Sequence, residues 1–408
     1  MNRDAAPATT RRLPRAVWML GWVSLLMDTS SEMIHSVLPL FFVTVLGASP
    51  LVLGVLEGIA EATAQFLKVF AGAVSDLMRR RKPMTVLGYG LAALTKPLFA
   101  VAQGATLIFT ARIVDRIGKG IRGAPRDALI ADLTPPPLRG AAFGLRQALD
   151  TLGAILGPLL AMAVLLAYAT DYRLVFAIAI VPALAAVAVL VFGVREPESH
   201  APSAAQRRRV AELGRLPRAF WLVAALGAGL SLARFSEAFL ILRANHLGLA
   251  PELAPLVLLV MNVVYAATVY PLGHLSDRFR AQGHGVMLVA ALAVLVGADL
   301  VLARATTEMM LWIGIVLWGL HMGASQGLLS RMVSDVAPAA QRGTAFGFFN
   351  AASGIAILMA NVVAGWLWES LGPQIVFTVG AIVAAVTLAT AIAHVAYVGR
   401  FSEDHGPQ

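Results

Sequence analysis

The sequence of 408 residues contains no cysteine, which removes disulfides, thiolate metal sites and thiol nucleophiles together. Charge is scarce as well. Asp, Glu, Lys and Arg make up 13% of the chain, where soluble domains carry roughly a quarter. A water-soluble enzyme is excluded by that balance. Disorder is excluded too, because a chain stays unfolded when low hydrophobicity is combined with high charge. No zinc-binding HExxH and no Walker-type Gly-x-x-x-x-Gly-Lys-[Ser/Thr] occurs, and Gly118-Lys119-Gly120 lies inside an apolar segment. No cofactor or metal is expected. Nothing in the sequence is built to bind ATP.

Apolar residues are abundant, at 58% with a mean hydropathy of +0.76. They come in blocks of about 20, the length of helix that crosses a bilayer. Only helices or closed barrels satisfy their backbone inside hydrocarbon, and blocks this long without period-two alternation are helices. Twelve segments are counted, at 16–44, 50–75, 84–103, 105–124, 139–168, 172–194, 219–243, 252–274, 285–304, 308–331, 342–369 and 373–398. The first carries Asp28 and Glu32 and lacks a small-residue cleavage site, so no cleavable leader is expected. The fold class is an all-α membrane protein.

The longest polar stretch, Arg195–Arg218, divides the chain into 1–194, a central loop 195–218, and 219–408. Of the 32 Lys and Arg residues, 22 fall on the ends that share a side with this loop and both termini. Three (Arg173, Arg243 and Arg304) fall on the opposite ends. The positive-inside rule therefore predicts a cytoplasmic-membrane protein with cytoplasmic termini and central loop. The net charge of +9 is read as this bias, with no nucleic-acid partner. The remaining seven, Lys68, Lys96, Arg112, Arg116, Lys119, Arg146 and Arg234, lie inside apolar blocks. There a charge is costly unless it is paired or faces water.

The halves repeat. GAVSDLMRRRK (Gly72–Lys82) corresponds to GHLSDRFRAQG (Gly273–Gly283), with Asp76 and Asp277 offset by 201. ADLTPPPLRGAAFGLRQ (Ala131–Gln147) corresponds to SDVAPAAQRGTAFGFFN (Ser334–Asn350), offset by 203. Internal repeats of this kind build many secondary transporters, with the solute site between the halves near the midplane.

Two polar stripes stand out. Asp28, Glu32 and His35 share a face of the first segment; Glu57, Glu61 and Lys68, with Gln65 between, share a face of the second. A stripe facing lipid would be prohibitive, so both must face the bundle interior or water. A titrating carboxylic acid with an arginine competing for its anion is the minimal proton-coupling device. Asp28, Glu32 and Glu61, with Arg112 and Arg116 of segment four, are the candidates. The plain alternative is structural pairing, of Glu61 with Lys68 or Asp28 with Arg112. Glu57, near its helix start, is expected at the outer mouth. The second half is more neutral. Arg234, Glu237, Asn262, Trp318, His321 and Asn350, with His35 and Lys119 of the first half, are the candidate solute-binding residues.

Twelve helices, a six-plus-six repeat and a basic central loop make the whole chain resemble the major facilitator superfamily. Its loop signature, Gly-x-x-x-Asp-Arg-x-Gly-Arg-Arg, is matched by Gly72, Asp76, Arg80 and Arg81, and in the second copy by Gly273, Asp277 and Arg278. Leu77 and Arg79 depart from it. The resemblance implies two pseudo-symmetric six-helix bundles, a monomer, and a conformational latch at these residues. Arg116–Ala124 resembles the Arg-x-x-Gln-Gly-x-Gly-x-Ala motif of proton-coupled drug exporters, with Lys119 and Arg122 in place of Gln and Gly. Gly153-x-x-x-Gly157-Pro158 resembles the antiporter motif, and is equally an ordinary packing element. The expected function is secondary transport of a small organic solute, as proton-coupled export by alternating access. Proton-coupled uptake of an anionic metabolite or siderophore-like compound is the alternative. A transporter-like sensor or lipid-handling protein is the reading from another class.

Overall fold

The computed structural model describes residues 12–77, 80–196, 216–278, 283–338 and 341–404. The first half comprises α1 (Arg15–His35), α2 (Pro50–Leu77), α3 (Lys82–Val101), α4 (Ala105–Leu133), α5 (Arg139–Ala167) and α6 (Tyr172–Ala188). The second comprises α7 (Arg218–Ala233), α8 (Ala238–His246), α9 (Pro255–Arg278), α10 (Gly283–Arg304) and α11 (Glu308–Ser325). It ends with α12 (Leu328–Val336), α13 (Arg342–Leu371) and α14 (Pro373–Asp404). These make twelve spans, because α7 with α8 and α11 with α12 are each one interrupted crossing. Ten spans among the described residues are long and apolar enough to cross a membrane on composition alone. The other two are α1, which carries Asp28 and Glu32, and α4, which carries Arg112, Asp115, Arg116, Lys119 and Arg122.

Two sequence expectations are corrected. Segment four was expected to end at 124, with Arg122 and Arg126 counted on its hydrophilic end. Instead α4 continues to Leu133 and buries Arg122. The extension holds because both cations find partners inside. The Arg122 guanidinium lies 4.5 Å from the Tyr89 ring centroid and 3.8 Å from Asp28 Oδ1. Arg126 donates to Asp127 at 3.0 Å and to Ser24 Oγ at 3.2 Å. Spans seven and ten were expected to be continuous. Both break, at Arg234–Glu237 and at Gln326–Gly327, where Gly327 takes a left-handed φ of 73° that side chains disfavour.

The halves meet along α2 against α13 and α5 against α9. We call the face where α1 begins and α14 ends the near face. Contact is tightest toward the far face. A Cβ at Gly54 would collide with the Asn361 carbonyl and lie 3.1 Å from Gly365 Cα; one at Gly365 would lie 2.6 Å from Pro50 O. Such approach needs residues without side chains. Beyond it, Thr170 donates to Glu252, and Leu51 N donates to Glu369 Oε2 at 3.3 Å. Toward the near face the halves diverge around a cavity whose lining includes the exposed Gln326 and Ser330.

Candidate functional site

The central cavity has a volume of about 580 Å³ and is lined from both halves. Its first-half wall is charged because α2 and α4 run in the same direction with matched spacing. Glu57 and Glu61 are four residues apart, as are Arg112 and Arg116, so the pairs align in register. Arg112 Nη2 donates to Glu57 Oε2 at 2.9 Å, and Arg116 Nη1 to Glu61 Oε1 at 2.9 Å. Behind the wall, Lys96 Nζ donates to Asp115 Oδ1 at 2.9 Å and to Ser31 Oγ at 3.1 Å. Both members of the Lys96–Asp115 pair are buried, with side chains 2% and 6% exposed. Removing one partner of such a pair strands a charge, which costs about 3–5 kcal/mol. Lys96→Ala should therefore lower the thermal midpoint in detergent markedly, and Lys96→Met with Asp115→Leu should recover most of the loss.

Several sequence-predicted residues are brought together at the cavity. Glu32, Glu61, Arg116 and Lys119 line its first-half wall, and His35 Nδ1 lies 3.3 Å from Glu32 Oε2. Arg234 and Glu237 line it from the α7–α8 interruption, Asn262 from α9 and Asn350 from α13. Asn262 also spans the interface, donating from Nδ2 to Ala154 O at 2.9 Å. Spans two, five, eight and eleven thus contribute as well as one, four, seven and ten.

Other candidates stand elsewhere. Arg112 does not line the cavity; it is 2% exposed and approaches Glu57 from behind. Asp28 pairs with Arg122, and not with Arg112. Lys68 donates to Gln65 Oε1 at 3.2 Å, so the expected alternative of a Lys68–Glu61 pair is not formed. Trp318 and His321 are turned away from the cavity. Trp318 packs on Phe235 with centroids 5.4 Å apart, and His321 Nδ1 faces Ala291 O at 2.8 Å. Bulk and apolar neighbours drew both into the bundle core. Glu57 is the residue the sequence reading undervalued. It is 1% exposed and lines the cavity, held between Arg112 and Ser236.

At the loop signature, Arg81 Nε lies 3.0 Å from Asp132 Oδ2 at the end of α4, while Glu196 accepts from the Arg81 and Lys82 backbone amides. A Cβ at Gly72 would meet Ala124 at an ordinary 3.8 Å, one at Gly273 would meet open space, and Arg80 is exposed. The side chains of Asp76, Asp277 and Arg278, and most of the central loop, lie outside the described residues. In the antiporter-like motif, Cβ atoms at Gly153 and Gly157 would each lie 2.7 Å from α1, so both glycines seat α5 on that helix. Gly323–Gly327 reads GASQG, a Gly-x-Ser-x-Gly spacing, but it forms a helix-to-helix break rather than the strand-to-helix elbow of a hydrolase.

A charged cavity enclosed between two repeated six-span halves is the architecture of a membrane solute transporter, not of an enzyme. The sequence model described as "Major Facilitator Superfamily" matches residues 20–296 and 233–404, and the chain belongs to that family. It is 32% identical to an uncharacterized MFS-type transporter of Methanocaldococcus jannaschii, over 92% of this chain and 94% of that one. It is also 32% identical to the multidrug resistance protein MdtH of Photorhabdus laumondii, over 35% of each chain. Among solved structures, a POT family transporter in complex with a thioalcohol-conjugated peptide superposes with a TM-score of 0.78 at 11% identity, covering 96% of this chain and 99% of that one.

Proposed function

We propose that this transporter exports a small organic solute across the cytoplasmic membrane in exchange for protons. The observation that carries the reading is the Glu61–Arg116 pair, set in the cavity wall beside Glu32, His35 and Lys119. Protons and solute would compete there. A proton on Glu61 frees Arg116, and a solute group that engages Arg116 or Glu61 disturbs the same pair. Competition for one site is the thermodynamic requirement for exchange. The partial likeness to MdtH and the Gly153–Pro158 motif support export.

The bias of Lys and Arg supports a near face in the cytoplasm, which makes this conformation inward-facing. The units 1–194 and 219–408 would rock as bodies about the 195–218 loop, in a monomer. Gly72, Asp76, Arg80 and Arg81, with Gly273, Asp277 and Arg278, would latch the near face in the opposite state. One observation favours uptake of an anionic metabolite as a second reading. Lys68, Lys119 and Arg234 line the cavity, and no acid lies within ion-pair distance of any of them among the described residues.

The test is proton movement in proteoliposomes loaded with a pH-sensitive dye and challenged with a panel of cationic, neutral and anionic solutes. Solute-dependent alkalinisation of the solute-free compartment, as protons leave it, supports exchange. Acidification of the compartment the solute enters supports co-transport. No solute-dependent proton movement at all would overturn proton coupling.

A further inference from the structure

Among the described residues, and apart from Asp132 at the loop signature, seven carboxylates of the first half lie within ion-pair distance of a cation. Asp115 keeps Lys96 and Arg116, Glu61 keeps Arg116, and Asp28 keeps Arg122. Glu32 keeps His35, while Asp127 and Asp150 keep Arg126 and Arg146. All these partners are on the same half as their acid, so a rigid-body movement of one half against the other leaves the pairs intact. Glu57 differs. Its Oε2 accepts from Arg112 at 2.9 Å and from Ser236 Oγ, on the other half, at 3.3 Å.

Ser236 is placed there by the break between α7 and α8. Its Oγ accepts from Ala238 N at 3.2 Å, which leaves the hydroxyl proton for Glu57. Its own N–H donates to Asn361 Oδ1 of α13 at 2.7 Å. Asn361 in turn is the residue against which Gly54 packs, one turn along α2 from Glu57. Glu57 thus stands at the closed end of the cavity, bonded through Ser236 to the seam that must part for the far face to open. Glu57 Oε1 is buried without a hydrogen-bond partner, and Arg112 Nε is likewise unpartnered.

We propose that Glu57 is a gating proton site, which takes up a proton as the halves part at the far face and releases it as they close. This rests on the proton-coupled reading above and adds a role distinct from the cavity site at Glu61. The physical argument is linkage. A group biases a conformational equilibrium only if its interactions differ between the two states. In the closed state the Glu57 carboxylate neutralises Arg112 in a dry seam and accepts the Ser236 hydroxyl. A protonated Glu57 leaves the Arg112 cation uncompensated there, and water reached by parting the halves relieves it. Acid therefore favours the parted state. The charged groups acting on Glu57 are Arg112 and Arg116 from α4, His35 from α1 and Glu61 one turn along α2. From the second half Ser236 and Asn361, both uncharged, face it, with Arg234 and Glu237 in the same interruption.

The absence of cysteine makes the experiment direct. Spin labels on Tyr168→Cys and Thr306→Cys, exposed far-face positions on opposite halves, report its opening by distance measurement from pH 5 to 9 in the solute-free full chain. The open-to-closed ratio should rise about tenfold from alkaline to acid, within the usual range of allosteric coupling. Glu57→Gln should be open throughout and change less than about twofold, while Glu57→Asp regains the dependence. Asp127→Asn, which removes an acid paired within the first half and alters no bond to the second, should keep it. Ser236→Ala leaves the Arg112 pair in place and should keep a pH dependence displaced toward the open state. A wild-type dependence that persists in Glu57→Gln, or that vanishes in Glu61→Gln or His35→Asn instead, overturns this proposal and leaves proton coupling standing. A flat wild type overturns the gate as well, and the proteoliposome assay then decides coupling separately.

Discussion

Glu61→Gln and Glu32→Gln are each expected to abolish gradient-driven accumulation while sparing exchange of solute down its own gradient. An amide cannot titrate, so the driving force is lost even where the shape of the cavity survives. Both side chains line the cavity, and each lies beside a basic partner, Arg116 or His35. The measurement compares uphill accumulation with solute counterflow in the same proteoliposomes, using whichever panel member moves protons with the wild type. Accumulation should fall to background, and counterflow should persist. Arg116→Gln should displace the pH optimum, because a proton then no longer competes with the Arg116 guanidinium for the Glu61 carboxylate. Unchanged accumulation in both carboxylate variants would reduce the wall to a structural ion-pair network.

Gly54→Val should arrest the cycle by another route. A side chain there meets the Asn361 carbonyl and the Gly365 backbone, neither of which can rotate away. Overpacking costs about 1–3 kcal/mol, and here the whole cost falls on the state with the far face closed. Transport should drop to roughly a tenth of wild type or less, in line with that cost. The far-face labels should report an open majority. The protein should still fold, because α2 keeps its contacts with α4 inside the first half. Wild-type transport by Gly54→Val would mean that α2 and α13 do not close together as tightly as described.

Much of this was legible in one dimension. The spans follow from runs of apolar residues, and the repeat from two offset motifs. The polar stripes follow from four-residue spacing, which any helix converts into a shared face. What spacing on one helix does not state is which face of another helix it meets. The register of Glu57 and Glu61 against Arg112 and Arg116 was available as a matched interval on two helices of the same direction, yet the assumption that Glu57 lay at a mouth hid it. Arg122 and Arg126 were counted on the hydrophilic end of segment four because a cation ends an apolar run, whereas Tyr89, Asp28 and Ser24 allow the helix to continue. Trp318 and His321 looked like ligands by residue type and proved to be core by packing. The breaks of spans seven and ten leave little sequence signal beyond Gly327, since Arg234–Glu237 contains neither Gly nor Pro.

The composition of α4 also bears on how the chain enters its membrane. Arg112, Asp115, Arg116 and Lys119 all fall in the middle of this helix. On insertion scales each costs about 2.5–3.5 kcal/mol at the centre of an isolated helix, so α4 by itself is roughly 10 kcal/mol too polar to leave the translocation machinery sideways into lipid. It must be held until its neutralising neighbours are present. Those neighbours precede it in the chain: Glu57 and Glu61 on α2 and Lys96 on α3 are synthesised first. The first half is therefore expected to partition into lipid as a preassembled group of helices and not one span at a time. A nascent chain lacking α2 should stall with α4 outside the bilayer.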